Sequence, residues 1–303
     1  MLRILLLAVA VCMPLGAAAQ RLAITFDDGL NPTKEPRTAE WYGRMLATLE
    51  REHVEVMFFP ALQRIGGEAG LAEVGRWSKA GHGIGNHTSR HRNLASARIT
   101  LAEFIGDVEE ADAALRSFPT WRPMLRFPFL KEGDTVEKRD GIREWMRAHG
   151  YRPAEVSIDA SDWYYSDVYG KLASADEAKL AALRKAYIAH LLDRAAYYDG
   201  LARKVLGRSP AHVLLLHTNA INAAWLADVI EAFRRAGWTF VPAHEAFDDP
   251  LYREQPDILP AGESIVWSLA KLHGEPGLRY PAEDSVYEEP RLRELGLIPA
   301  ARP

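Results

Sequence analysis

The stretch Ala23-Ile24-Thr25-Phe26-Asp27-Asp28-Gly29-Leu30 decides how this chain is read. Four residues suited to a buried strand run directly into two adjacent carboxylates and a glycine. Like charges side by side at a strand end repel each other. The pair is therefore either a solvated turn, which Asp and Gly favour, or a site where something positive keeps both groups ionised. On this stretch alone both readings stand.

The chain has 303 residues, a formal net charge of -4 and 48% hydrophobic residues. That describes a folded globular protein of one or two domains. So mild a charge, with no sustained basic block, argues against a nucleic-acid partner. Residues 1–19 read as a signal peptide. Arg3 supplies the positive start, Ile4 to Met13 the apolar core, and Ala17-Ala18-Ala19 a small-residue cleavage site before Gln20. The apolar run is short for a membrane span. The expectation is an exported protein, periplasmic or secreted, with no stable membrane insertion after cleavage. Cys12 is the only cysteine and lies in that segment. The mature chain then has no disulfide to draw on, and roughly 280 residues suffice to build a stabilising core.

Strand-like apolar runs alternate with helical patterns. Leu22 to Phe26, Val54 to Phe59, Leu125 to Phe129, Val156 to Ile158, His212 to Leu216 and Trp238 to Val241 read as strands. Thr38 to Arg51, Ala69 to Lys79, Gly141 to Ala148 and Ala223 to Arg235 read as helices, and Thr100 to Glu103 as a capping box opening another. This alternation predicts an α/β fold, a (β/α) barrel that is distorted or incomplete, with chemistry at the C-terminal ends of its strands. The expected catalytic domain spans 20–250. A helical insertion at about 173–206, a hairpin or one long helix, precedes the last catalytic strand. Residues 251–303, rich in Pro, Gly and Glu, are expected to form an irregular extension packed on the domain.

Polar clusters follow several of these strands. His87 and His91 are four apart, so on a helical turn they share a face and can reach one metal ion; two surface histidines are the plainer alternative. With a strand-end carboxylate they make a two-histidine, one-carboxylate set that leaves positions open for water and substrate. Arg126 sits in an apolar segment, where it either reaches the surface or pairs with one of the first two aspartates. Asp162 follows another strand, in a loop or as a partner for an imidazole. His217 ends an apolar strand, as a satisfied core residue or as a general acid oriented by Asp162. The ensemble favours a site, because metal ligands, a base and an acid all recur at strand ends.

TFDDG, NHTSRH, RFPF, DASDW and LLLH, in this order from Thr25 to His217, resemble the five signature segments of the polysaccharide deacetylase (NodB-homology) family, carbohydrate esterase family 4. The resemblance implies a metal-dependent hydrolase. It assigns the general base to Asp27 and the metal triad, usually for zinc, to Asp28, His87 and His91. Arg126 would tether the base, and the Phe129 N–H would donate to the oxyanion. Asp162 would position the general acid His217, with Trp163 and Leu215 walling a groove for the acetyl methyl. The implied partner is an acetylated carbohydrate, and no protein partner is inferable. Two departures bear on the substrate. The family usually has glycine where this chain has Leu130, and the 173–206 insertion is longer than typical. Two other readings remain: hydrolysis of a non-sugar amide C–N bond on the same fold, and a non-catalytic glycan-binding protein.

Overall fold

The computed structural model describes residues 20–172 and 177–300. The signal-peptide reading, Cys12 and the start of the 173–206 insertion fall outside those residues. Strand β1 (Gln20–Asp28) is the centre of the fold. It is buried from Leu22 through Asp27, a continuous rather than alternating pattern, as a parallel strand covered on both faces requires. After it come α1 (Thr38–Arg51), β2 (Met57–Pro60), the one-turn α2 (Leu62–Ile65), α3 (Glu68–Lys79), β3 (Gly83–Asn86), α4 (Leu101–Leu115) and β4 (Trp121–Leu125). The chain continues through β5 (Lys131–Gly133), α5 (Val136–Ala148), β6 (Arg152–Pro153), α6 (Asp162–Leu172), α7 (Glu177–Leu206), β7 (Ala211–His217) and α8 (Ala220–Arg235). It ends with β8 (Trp238–Phe240), α9 (Ala243–Ala246), β9 (Ala261–Gly262), α10 (Ile265–Leu272) and α11 (Ser285–Glu294).

The main sheet runs β6-β4-β3-β2-β1-β7, with β8 against the start of β1. Its two ends meet through one run of chain. The Ala154 N–H donates to the Leu125 carbonyl, Ser157 and Ile158 donate to Val213, and Leu215 donates back to Ile158. Residues 152–158 therefore join β4 to β7 and close a distorted barrel of parallel strands surrounded by helices. Closure removes the free edges that such strands would expose.

Packing fixes the strand ends that carry the aspartates. Helix α1 buries Tyr42, Met45 and Leu49 along one stripe. Tyr42 meets Phe58 and Trp77 with ring centroids 6.1 and 5.6 Å away, and Phe58 lies 5.1 Å from Trp77. These rings tie α1 and α3 to β2. The Tyr42 hydroxyl also accepts a hydrogen bond from the Leu30 N–H at 2.7 Å, just past the paired aspartates. The capping box at the start of α4 forms as expected, with Thr100 and Glu103 exchanging bonds.

Several expectations need correcting. β4 lies at Trp121–Leu125 rather than Leu125 to Phe129. Pro128 has no N–H for a ladder, and Pro128–Leu130 instead form a 3₁₀ turn. β2 starts at Met57, and Val156 to Ile158 contributes only an isolated bridge to Leu214 rather than a strand. Of the two forms expected for the insertion, the described part is a single helix, α7, whose Leu183, Tyr187, Leu191, Ala195 and Tyr198 join the main core. The C-terminal tail is more regular than its composition suggests, since it carries α10 and α11, and Ile265, Val266 and Trp267 are core residues. Short helices separated by Pro and Gly show too few turns for a periodicity to be read.

Candidate active site

In a regular strand, successive side chains point to opposite faces, so two neighbouring aspartates should not share a site. Asp28 leaves the strand pattern with φ 76, followed by Gly29 at φ 102. This left-handed kink lets both carboxylates reach His87: its Nε2 is 3.8 Å from Asp27 Oδ2 and 3.6 Å from Asp28 Oδ1. Gly29 is required at the kink, because a Cβ there would stand 2.2 Å from Ile65 Cγ2. Gly29 N–H is held by Thr218 Oγ1 at 3.0 Å, which ties the kink to the end of β7.

Asp27 is buried with Arg126. The guanidinium donates from Nη1 to Asp27 Oδ1 at 2.9 Å, from Nη2 to Thr25 Oγ1 at 3.2 Å and from Nε to the Ala154 carbonyl. It also lies over the Phe59 ring at 4.6 Å. Arg126 is thus paired in the interior rather than reaching the surface. The sequence reading missed Thr25, the residue on the same face of β1 as Asp27, two positions before it.

Asp28, His87 and His91 converge. His91 Nε2 is 3.0 Å from Asp28 Oδ1, and one ligand-type atom from each residue lies within 4.8 Å of the others. Asp28 Oδ1 is buried yet accepts no hydrogen bond of good geometry from either imidazole. Lone pairs facing one another, with one oxygen left unpartnered, fit a shared cation rather than a hydrogen-bond network. His87 is oriented by its other nitrogen, as Nδ1 donates to the Arg126 carbonyl at 2.8 Å and leaves Nε2 as a lone-pair donor. Burial lowers the pKa of His91, against the pull of Asp28. Thr88 and His91 adopt left-handed backbone, φ 67 and 52, as do Phe129 and Leu130 at φ 59 and 53. Such strain in non-glycine residues concentrates at functional sites.

His217 lies beside Asp27 in the register between β1 and β7. Its Nδ1 is 2.7 Å from Asp162 Oδ1, and its backbone N–H donates to Asp162 Oδ2 at 2.8 Å. Burial would lower the His217 pKa. Asp162, with help from Asp28 and Asp27, overrides it and raises the value to about 10. Asp162 is not in a loop: it opens α6 and is fully buried. Two residues overlooked in the sequence complete its shell. Asn219 and Asn222 donate side-chain N–H groups to Asp162 Oδ2 at 2.9 and 2.8 Å. Their one sequence signal is the helix cap that Asn219 makes with the Asn222 N–H.

The remaining predicted groups are set around this centre. The Phe129 ring lies 4.8 Å from His91 and is 56% exposed, and its N–H makes no hydrogen bond to any described residue. Leu215 is buried, two residues before His217 and so on the same face of β7. Trp163, beside Asp162, is 42% exposed and therefore free to meet a ligand.

A carboxylate–arginine pair, a carboxylate–imidazole pair and a cation-ready cluster thus stand together at one end of the barrel, an arrangement able to carry acid–base and metal-assisted chemistry. Residues 16–154 match the family model described as polysaccharide deacetylase. A peptidoglycan-N-acetylglucosamine deacetylase of Bacillus cereus is 27% identical over 143 residues, which cover 47% of this chain and 46% of that protein. The chain thus spans less than half the length of this curated relative. Among solved structures, the polysaccharide deacetylase Bc1974 from Bacillus cereus shares the fold with a TM-score of 0.53 at 18% identity, over 74% of this chain and 91% of that one. A Streptococcus mutans CE4 esterase does so with a TM-score of 0.51 at 19% identity, over 74% and 86%.

Proposed function

We propose that this protein is a metal-dependent deacetylase that removes acetyl groups, N-acetyl foremost, from an extracytoplasmic polysaccharide or oligosaccharide. The observation that carries the reading is the placement of the Asp27–Arg126 and Asp162–His217 pairs on either side of one strand pairing, next to the Asp28–His87–His91 cluster. Amide hydrolysis needs a base for the attacking water, a donor for the oxyanion and an acid for the leaving amine.

Asp28, His87 and His91 would hold one divalent ion, zinc being the first choice for two imidazoles and a carboxylate. Such an ion supplies Lewis acidity and lowers the pKa of water to near neutrality. Asp27 takes the proton from the attacking water, and Arg126 holds that carboxylate in place. The unpartnered Phe129 N–H donates to the oxyanion as it develops. His217, charged beside Asp162, delivers its proton to the departing nitrogen. Trp163 and Leu215 flank the acetyl methyl. The products are acetate and a free amine, or a free hydroxyl from an ester.

The family match and the named activity of the Bacillus cereus relative support an acetylated carbohydrate as substrate. The signal-like residues 1–19 support action outside the cytoplasm, and no described helix is long and apolar enough to cross a membrane. The test is acetate release by the zinc-loaded chain from N-acetylated amino-sugar oligomers, peptidoglycan and acetylated xylan. Release from at least one of these is expected; none from any would overturn the carbohydrate assignment.

A further inference from the structure

We propose that helix α7 supplies two positioning residues for the Asp162–His217 pair, Tyr187 and His190. The proposal rests on the reading of that pair as the acid of the reaction. The two residues are three apart and share one face of the helix. The Tyr187 hydroxyl donates to Asn222 Oδ1 at 2.6 Å. That contact turns the Asn222 amide so that Nδ2 donates both to Asp162 Oδ2 and to the His217 carbonyl, each at 2.8 Å. Without Tyr187 the amide has no partner on its oxygen and is free to rotate away from both.

His190 acts on the other side of Asp162. Its Nε2 accepts the N–H of Ser161, the residue before Asp162, at 3.0 Å. The Ser161 carbonyl in turn accepts the first helical N–H groups of α6, from Tyr164 and Tyr165. His190 therefore fixes the turn that presents Asp162. Its Nδ1 lies 3.0 Å from Glu288 Oε2 in α11, so the C-terminal tail braces the same ring.

His190, Glu283 and Glu288 are also close enough for a cation, and Glu283 Oε2 is buried without a partner. The tautomer excludes His190 as a ligand, however. The Ser161 N–H occupies the Nε2 lone pair, so Nδ1 carries the proton that Glu288 accepts. An imidazole anchored at both ring nitrogens is a support for the turn.

The experiment compares Tyr187→Phe, His190→Gln, His190→Met and Tyr198→Phe. Tyr198 is a buried tyrosine of the same helix whose hydroxyl goes to Glu283 instead. In Tyr187→Phe, kcat falls on the order of tenfold with KM unchanged, a fraction of what general acid–base catalysis contributes. Tyr198→Phe keeps the wild-type kcat. His190→Gln, which keeps an acceptor for Ser161, retains more turnover than His190→Met. Independently of activity, the His217 Nδ1 proton held against Asp162 gives a downfield proton resonance, which shifts or is lost in Tyr187→Phe and persists in Tyr198→Phe. An unchanged resonance and unchanged kcat in Tyr187→Phe would overturn the proposal. A wild-type chain that shows the resonance but releases no acetate would overturn the deacetylase reading instead.

Discussion

Asp27 and His217 are register partners across the parallel pair β1 and β7, and each is held from behind by an oppositely charged group: Asp27 by Arg126, His217 by Asp162. The proposed base and the proposed acid thus stand on adjacent strands at the edge of the Asp28–His87–His91 cluster. In the proposed reaction neither has to move for protons to enter and leave the same centre.

Removing the acid separates chemistry from binding. His217→Asn should lower kcat by roughly 10²- to 10⁴-fold, the range for a general acid, with KM little changed. Steady-state kinetics on an N-acetylated oligosaccharide check this. A rise in KM at constant kcat would move His217 to a substrate-binding role.

The pH response follows from the sign of the His217 shift. Its folded value, about 10, lies above the ordinary 6.5. Its protonation therefore stabilises the fold fully below 6.5, and that contribution is lost as pH rises toward 10. In Asp162→Asn the largest raising influence is gone and burial, which lowers the value, remains. The His217 imidazole then deprotonates at lower pH, and the alkaline limb of kcat moves toward neutrality. A pH–rate profile of wild type and variant measures the displacement.

Arg126 makes a structural prediction. It is buried, and its removal strands the Asp27 charge in the interior. Arg126→Met should cost about 3–5 kcal/mol, as for breaking one side of a buried ion pair. Urea denaturation reads it as a lower midpoint at unchanged slope.

Much of this site was legible because its groups follow apolar strands. The apolar runs before Asp27 and His217 each lead into a polar residue, and parallel strands bring such ends together at one mouth of a barrel; β3, before His87, is the Gly-rich Gly83–Asn86 and was not readable as a strand. The spacing of His87 and His91 gave the cluster, though not through a helix: His91 closes a turn in which its N–H bonds to Thr88 Oγ1 at 3.0 Å. What stayed hidden is carried by backbone geometry and distant packing. Nothing in Asp27-Asp28 announces the φ of 76 that lets both carboxylates face one site. Leu130, standing where the resemblance expects glycine, takes a left-handed φ of 53 that its side chain does not favour. Asn222 and Tyr187 lie 35 residues apart, with no shared motif, so only the packing of α7 on α8 reveals their contact.

The most direct test of the account is the pair of measurements made on one preparation of Asp27→Asn, bound metal per chain and rate of acetate release. Asp27 is read as the base and its neighbour Asp28 as the ligand. Asp27→Asn should therefore keep the zinc content of wild type while acetate release falls by about 10²-fold or more. Acetate release at the wild-type rate would contradict the assignment of Asp27 as the base, and with it the division of labour between the two adjacent aspartates.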